Sequence, residues 1–229
     1  MPRTRDLART RDLILKAAIA EFAAKGANGA RCRDIARRAG VNKRMLFYCF
    51  GSKESLYREI LRRKFSQRTA VFESIPDELA PAILHWYEAF AGDIELVRLL
   101  EWEALGAATG RLVGEDERRQ YFKRTSARLR RAQRNGRIPG DIDLIQLQLS
   151  IIALTAFPLA FPQMTRLASG LAPTDPRFRR KRLQFLRWLG ERLSGGLGAA
   201  TPAQPRHPNR KPAPARRIAP RAARPLARA

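Results

Sequence analysis

The chain has 229 residues, of which 45 are Lys or Arg and 21 Asp or Glu, for a net charge of +24, and 45% of its residues are hydrophobic. That length suits a small domain followed by a larger one, each with a core of its own. No apolar run is long enough for a membrane-spanning helix and the start, MPRTRDLARTRD, is charged throughout rather than leader-like. The expectation is therefore a cytoplasmic protein without a membrane partner.

In chain order, the first element is a helix over Arg11 to Gly26, RDLILKAAIAEFAAKG. Ile14, Ala17, Ala18 and Phe22 fall at helical spacing on one face, and Gly26 is a natural stop. Next comes RCRDIARRAGVNKRMLFYCF, Arg31 to Phe50, with two short helical patterns. Ile35, Ala36 and Ala39 form the apolar side of the first. Gly40 makes the turn, because without a Cβ it accepts a left-handed backbone at little cost. Asn42 is placed to cap the second helix. There Leu46, Cys49 and Phe50 share an inward face, while Lys43, Arg44, Phe47 and Tyr48 remain on the other. Cations and aromatic rings on a short, braced helix make a helix-turn-helix whose second helix suits a major groove. A further helix opens at Gly51-Ser52-Lys53-Glu54, with Ser52 as cap, Glu54 in the first turn, and Leu56 and Ile60 on its inner side.

These three segments, in this order over residues 9–60, resemble the TetR family of transcriptional regulators. The residues that carry the resemblance are ILKAAIAEFAAKG, DIARRAGV and LFYCFGSKESL. It implies phosphate contacts at Arg31, Cys32 and Arg33, base contacts at Asn42, Lys43 and Arg44, and a backbone contact at Lys53. A Thr or Ser usually stands where this chain has Arg31, a Tyr where it has Phe47, and a His where it has Cys49. Here a guanidinium would meet phosphate directly, and Tyr48 would supply the hydroxyl that Phe47 lacks.

The charge distribution agrees with that placement. Residues 1–68 carry +12, residues 69–195 carry +4 and residues 196–229 carry +8. A basic helix-turn-helix segment is the electrostatic footprint of a phosphate-backbone binder, although a charge run also serves simply to solvate a face. Cys32 and Cys49 form no CxxC pair and have no matching His ligands, so no metal site is expected. Packing explains two small thiols; a redox switch on DNA binding is the functional alternative.

The rest of the chain has a helical apolar period over Leu79–Ala91, Asp93–Ala107, Glu115–Gly136, Asp141–Ser169 and Pro176–Ser194, separated by Gly- and Pro-rich breaks. Asp141 is expected to cap its helix with Asp143 in the first turn, and Pro158 and Pro162 to kink or split it. Leu144, Leu147, Ser150, Ile151, Leu154, Phe157 and Phe161 mark one face, widened by Ile145, Leu149 and Ile152. Phe178, Phe185 and Leu189 line another. Helices apolar on more than one side need more than one partner. The resemblance implies that the last two long helices form a four-helix bundle with a second subunit; burial within one monomer is the competing account. From Thr201 onward Pro, Ala and Arg dominate, as in a disordered tail.

A ligand cavity among the central helices is likewise implied by the resemblance. Its candidate lining is His85, Trp86, Tyr87, Phe90, Trp102, Tyr121 and Phe122, residue types that fill ordinary cores as readily. No nucleophile elbow, phosphate loop or metal-binding His pair is present, so neither catalysis nor a cofactor is expected.

The expected fold is all-α. It comprises a three-helix DNA-binding domain over 9–69 with its helix-turn-helix at about 31–50, a helical effector-binding and dimerisation domain over 70–195, and a disordered basic tail over 196–229. The expected function is a homodimeric, ligand-responsive repressor that binds double-stranded DNA at a palindromic operator and responds to a small-molecule effector. A sequence-tolerant DNA-compacting protein that relies on the basic tail is the alternative. An enzyme with a basic active site would need a convergent acid, base or metal cluster that the sequence lacks.

Overall fold

The computed structural model describes residues 2–73, 75–106 and 112–194; the basic tail expected over 196–229 lies outside them. The described residues form ten α-helices and no strand. Helix α1 (Pro2–Gly29) begins earlier than its apolar stripe and is broken at Gly26, where φ is 70° and ψ 175°. Its stripe is the expected one: Ile14, Ala17, Ala18 and Phe22 are all buried.

Helix α2 (Cys32–Ala39) ends at Gly40, whose φ of 69° and ψ of 28° are left-handed. The Val41 N–H donates to the Ala36 carbonyl at 3.0 Å and the Gly40 N–H to that of Arg37 at 3.2 Å, a Schellman closure that fixes the turn. Helix α3 (Lys43–Phe50) starts where the Asn42 side chain accepts the Met45 N–H at 2.8 Å. Helix α4 (Lys53–Glu73) starts where the Ser52 hydroxyl accepts the Ser55 N–H at 3.0 Å. Ile14, Phe22, Ile35, Leu46, Leu56 and Ile60 meet in one apolar cluster, with Cys32 and Cys49 half-buried against it. The two thiols are thus placed as packing residues.

The remaining helices are α5 (Leu79–Ala91), α6 (Ile94–Gly106), α7 (Glu115–Arg134), α8 (Leu144–Ala160), α9 (Pro162–Ser169) and α10 (Pro176–Ser194). A second cluster joins Ile83, Trp86, Tyr87 and Phe90 of α5 to Val97, Leu129, Leu147, Ile151, Leu159 and Leu186. Leu99 of α6 is packed in the first cluster instead. Helix α10 lies so close to α5 that a Cβ on Gly190 would come within 2.5 Å of the Ala80 Cα. No single helix among the described residues is long and apolar enough to cross a membrane; α8 and α9 reach that composition only together, across an 84° bend.

Three local expectations need correction. Asp143, not Asp141, caps α8: its carboxylate accepts the N–H groups of Ile145 at 2.8 Å and Gln146 at 2.9 Å. Helix α7 ends at Arg134 with Asn135 as its cap, short of Gly136, which has a φ of 70°. The long apolar face of 144–161 divides. Leu147 and Ile151 are buried in the subunit's own core and Leu154 packs against it, whereas Ile145, Leu149, Phe157 and Phe161 are exposed.

The two prolines act as expected at the level of the break, but each leaves a carbonyl to satisfy. Pro158 stays inside α8 and, having no N–H, cannot bond the Leu154 carbonyl one turn back. The Arg182 guanidinium of α10 donates to that carbonyl instead. Pro162 opens α9 after the break at Phe161 and leaves the Pro158 carbonyl without its helical donor. The buried Thr165 hydroxyl donates to it at 3.0 Å. The split of one apolar segment into two helices is therefore stabilised by side chains that replace both lost backbone donors.

Two outcomes follow. Gly190→Ala forces α10 away from α5 and should lower stability by about 1–3 kcal/mol in urea denaturation, whereas Gly140→Ala, with open space around its Cβ, should be near neutral. Arg182→Leu leaves the Leu154 carbonyl unmet and should cost about 1–3 kcal/mol. In a Pro158→Ala background the restored N–H should remove most of that cost; equal losses in both backgrounds would show that Arg182 acts otherwise.

Candidate nucleic-acid interface and central cavity

The surface around α2 and α3 is built by short-range contacts. Arg31 precedes α2 in an extended conformation, with φ −114° and ψ 129°, and its side chain makes no capping bond. Lys53 sits at the first turn of α4 and reaches the Ala30 carbonyl at 3.4 Å, tying the start of α4 to the start of α2. As a result Arg31, Cys32, Arg33, Lys43, Phe47 and Lys53 line one open depression. The Lys43 ammonium lies 5.6 Å from the centre of the Phe47 ring. Arg44 and Tyr48 are exposed on α3 outside that depression, Tyr48 at 75% of its full accessibility. Asn42 is exposed as well, but its carbonyl oxygen is committed to the helix cap. Only its amide donors are left for a partner.

The acidic residues nearby are paired within the protein. Glu21 is buried and accepts from Lys25 at 2.6 Å, and Asp34 meets Arg37 at 3.0 Å. Glu59 is held by Arg62 at 2.9 Å and Arg63 at 2.7 Å. Glu54, in the first turn of α4, has its carboxyl held below the usual range by its own backbone N–H and then by the Ser52 hydroxyl. The cations of the depression thus face solvent with little compensating negative charge beyond Glu54.

Sequence reasoning missed Arg11. Its guanidinium donates to the Cys49 carbonyl in the last turn of α3 and lies 4.4 Å from the centre of the Phe50 ring. A cation at a helix C-terminus is favourable. Nothing local in the sequence distinguishes Arg11 from the other arginines of MPRTRDLARTRD, because its partner is 38 residues away.

A cavity of about 170 Å³ lies among α4, α5, α6, α7 and α8. Trp86, Phe90, Tyr121 and Phe122 line it, together with Phe65, Arg68, Leu100, Arg118, Thr125, Gln148 and Ile152. The other candidates lie elsewhere. His85 is half-buried on α5 but does not line this cavity, and Tyr87 is fully buried in the second core. Trp102 packs against α1, where its Nε1 donates to the Ala23 carbonyl at 3.2 Å and its ring fills the space a Cβ on Gly26 would need.

Two arginines in the cavity differ in state. Arg118 is bidentate to Glu103 at 2.6 and 2.9 Å and stacks 3.7 Å from the Phe65 ring centre. Arg68 stacks 3.8 Å from the Phe90 ring centre. Burial pushes the Arg68 guanidinium below its ordinary pKa, opposed by Tyr121, which it hydrogen-bonds, and by the charge of Asp93. Asp93 itself is bonded by Lys64 at 2.7 Å. Among the described residues no group of three His, Cys, Asp or Glu side chains could hold a metal ion.

Comparison with known proteins places this arrangement. Residues 14–60 match the model of bacterial regulatory proteins of the tetR family, and residues 83–186 match the tetracyclin repressor-like C-terminal domain. The HTH-type transcriptional repressor SCO4008 of Streptomyces coelicolor is 32% identical over 166 residues, which span 72% of this chain and 86% of that protein. The HTH-type transcriptional repressor NicS of Pseudomonas putida is 45% identical over 58 residues, 25% of this chain and 27% of that one. Among solved structures, the transcriptional regulator SCO4942 of S. coelicolor aligns with a TM-score of 0.64 at 25% identity, covering 79% of this chain and 97% of the other. The ketosteroid transcriptional regulator KstR2 of Mycobacterium tuberculosis aligns with a TM-score of 0.63 at 22% identity, over 80% and 94% of the two chains, and is similar in fold. The chain belongs to the TetR family of bacterial regulatory proteins and is a DNA-binding transcriptional regulator of the helix-turn-helix type.

Proposed function

We propose that the protein is a homodimeric repressor of a palindromic operator, released from DNA when a small molecule fills the cavity among α4 to α8. The observation that carries this reading is the pairing of the solvent-facing cations around α2, α3 and the start of α4 with a separate, largely apolar cavity lined in part by the same α4. Residues 9–69 would serve DNA binding and residues 70–195 effector binding and dimerisation.

On DNA, α3 would enter the major groove with Lys43 and Arg44 at base edges and the amide of Asn42 beside them. Arg31, Arg33 and Lys53 would hold phosphates, Tyr48 would offer its hydroxyl to one, and Phe47 would make apolar contact. Two helices connect the cavity to that surface. Helix α4 carries Phe65 and Arg68 at the cavity and Leu56 and Ile60 in the first core. Helix α6 carries Leu100 at the cavity and, nearby, Trp102 against Gly26 of α1. A ligand that moves either helix would change the separation of the two α3 helices in a dimer; what it contributes is its difference in affinity for the two arrangements.

The dimer reading rests on exposed apolar side chains. Ile145, Leu149, Phe157 and Phe161 of the α8 segment and Phe185 and Trp188 of α10 are each more than 40% exposed. Apolar side chains clustered on two long helices mark an interaction face. A symmetric second copy would cover them and set two half-sites about 34 Å apart.

Arg44→Ala should cost about 1–3 kcal/mol on the operator and relax the preference at one base position, while Lys53→Ala weakens all sequences alike. Competition binding to operator variants separates the two; equal loss on operator and random DNA for Arg44→Ala removes it from the base-reading set. Phe157→Glu and Phe185→Glu should each give monomers in sedimentation with the helical content unchanged, because an unpaired carboxylate would be forced into an apolar contact. Leu154→Glu is a poorer probe, since Leu154 packs against its own subunit's core. A monomeric wild type that retains operator specificity would rule out the dimer.

A further inference from the structure

The cavity has a chemical bias. Its walls are mainly aromatic and aliphatic: Phe65, Trp86, Phe90, Phe122 and Ile152. Two side chains of this lining carry buried N–H groups that meet no acceptor among the described residues, Gln148 Nε2 and Arg118 Nε. Gln148 is 5% exposed, and its carbonyl oxygen is already taken by the Ser126 hydroxyl at 2.9 Å. That leaves the amide nitrogen as the group without a partner. Buried donors are normally paired, and an unmet one is a place where an acceptor belongs.

The charge has the same sense. Arg118 is neutralised by its bidentate bond to Glu103. Among the described residues, the Tyr121 side chain and the charge of Asp93 offset the charge that Arg68 carries into the cavity wall. A guanidinium kept from water over a ring is strongly attractive to an anion, and its planar donors fit a carboxylate. Glu117 also lines the cavity but is exposed, so its charge is solvated. It disfavours a second negative group without competing for Arg68.

Building on the proposed effector role of this cavity, we infer that its ligand is a small monoanion: a carboxylate on a flat apolar body, the carboxylate facing Arg68 and Gln148 and the body packed among the aromatic rings. A volume of about 170 Å³ is enough for one or two fused rings.

The test is calorimetric titration of the full chain with three probes of one shape: naphthoate, naphthamide and naphthylmethylammonium. The expected order is naphthoate tightest, by about tenfold over the neutral amide, with the cation weakest. Arg68→Gln should erase the preference for naphthoate over naphthamide while naphthamide still binds. Arg68→Lys, which retains the charge, should keep part of that preference, and this guards against a variant that merely fails to fold. Gln148→Leu should weaken both the acid and the amide, which share an acceptor oxygen. Absence of naphthoate binding, cation binding equal to or tighter than naphthoate, or a preference that survives Arg68→Gln would overturn the inference.

Fluorescence anisotropy of labelled operator in the same solutions reads the broader proposal separately. Naphthoate binding that leaves DNA bound would remove the effector role and leave the anion site standing. Release of DNA by the ammonium probe alone would retain the effector role and reject the anion site.

Discussion

Helices of eight residues do not persist alone in water, and the DNA-facing surface of this protein is made of two of them. Everything presented there depends on the apolar cluster beneath. Ile14, Ala18 and Phe22 of α1 and Leu56 and Ile60 of α4 form a floor on which Ile35 of α2 and Leu46 and Phe50 of α3 are buried. The stabilisation comes from packing rather than from helix propensity, since β-branched and aromatic residues at these sites are only average helix formers. The Schellman turn at Gly40 and the Asn42 cap then set the angle between α2 and α3. Arg11, bridging to the last turn of α3, adds a restraint at the far end. Cations on such a surface are held in place by residues that never meet solvent.

The same floor joins the helices at the front of the protein to the cavity. Helices α4 and α6 belong to both regions: Leu99 is buried with the DNA-binding helices, while its neighbour Leu100 faces the cavity. The Trp102 ring against Gly26 leaves no slack at that junction, because even a methyl group would collide with it at 2.8 Å. A close-packed contact of this kind transmits displacement instead of absorbing it. Helix α7 is tied in by Arg118, which bonds Glu103 of α6 and stacks on Phe65 of α4. One side chain thus joins three of the helices that form the cavity.

What was legible in the sequence divides along the range of the interactions concerned. Gly40, Asn42 and Ser52 are fixed by partners within five residues, and their roles follow from residue type and spacing. The apolar stripe of α1 and the break near Pro158 and Pro162 follow from periodicity and from the lost backbone donors. Asp143 was misassigned to the first turn because either of two aspartates after a Pro-Gly turn could cap, and only the helix start decides which. Trp102 was placed in the cavity because an aromatic on a central helix is compatible with several neighbours. Its actual partner, Ala23, is 79 residues away. Apart from Tyr121, the polar side chains of the cavity were missed. Arg68 in KFSQRT and Gln148 in IQLQLS were not singled out, since a polar residue carries no mark in the sequence that it will be buried.

Burial separates three of the physical roles that arginine has among the described residues. Arg31, Arg33 and Arg44 are exposed, so each is a hydrated cation that gains most from a polyanion, which releases its counterions. Arg182 is half-buried and donates to a carbonyl that Pro158 leaves unbonded, a role in which the fork of N–H groups matters more than the charge. Arg68 is largely withdrawn from water over the Phe90 ring, where its charge is screened least. A net charge of +24 therefore says less about this protein than where individual cations sit. Those in water would be drawn to any duplex, and under the proposed binding mode the few placed at base edges would add selectivity among duplexes. The one drawn into the cavity wall meets only what is small enough to enter, so its attraction is selective by access as well as by charge.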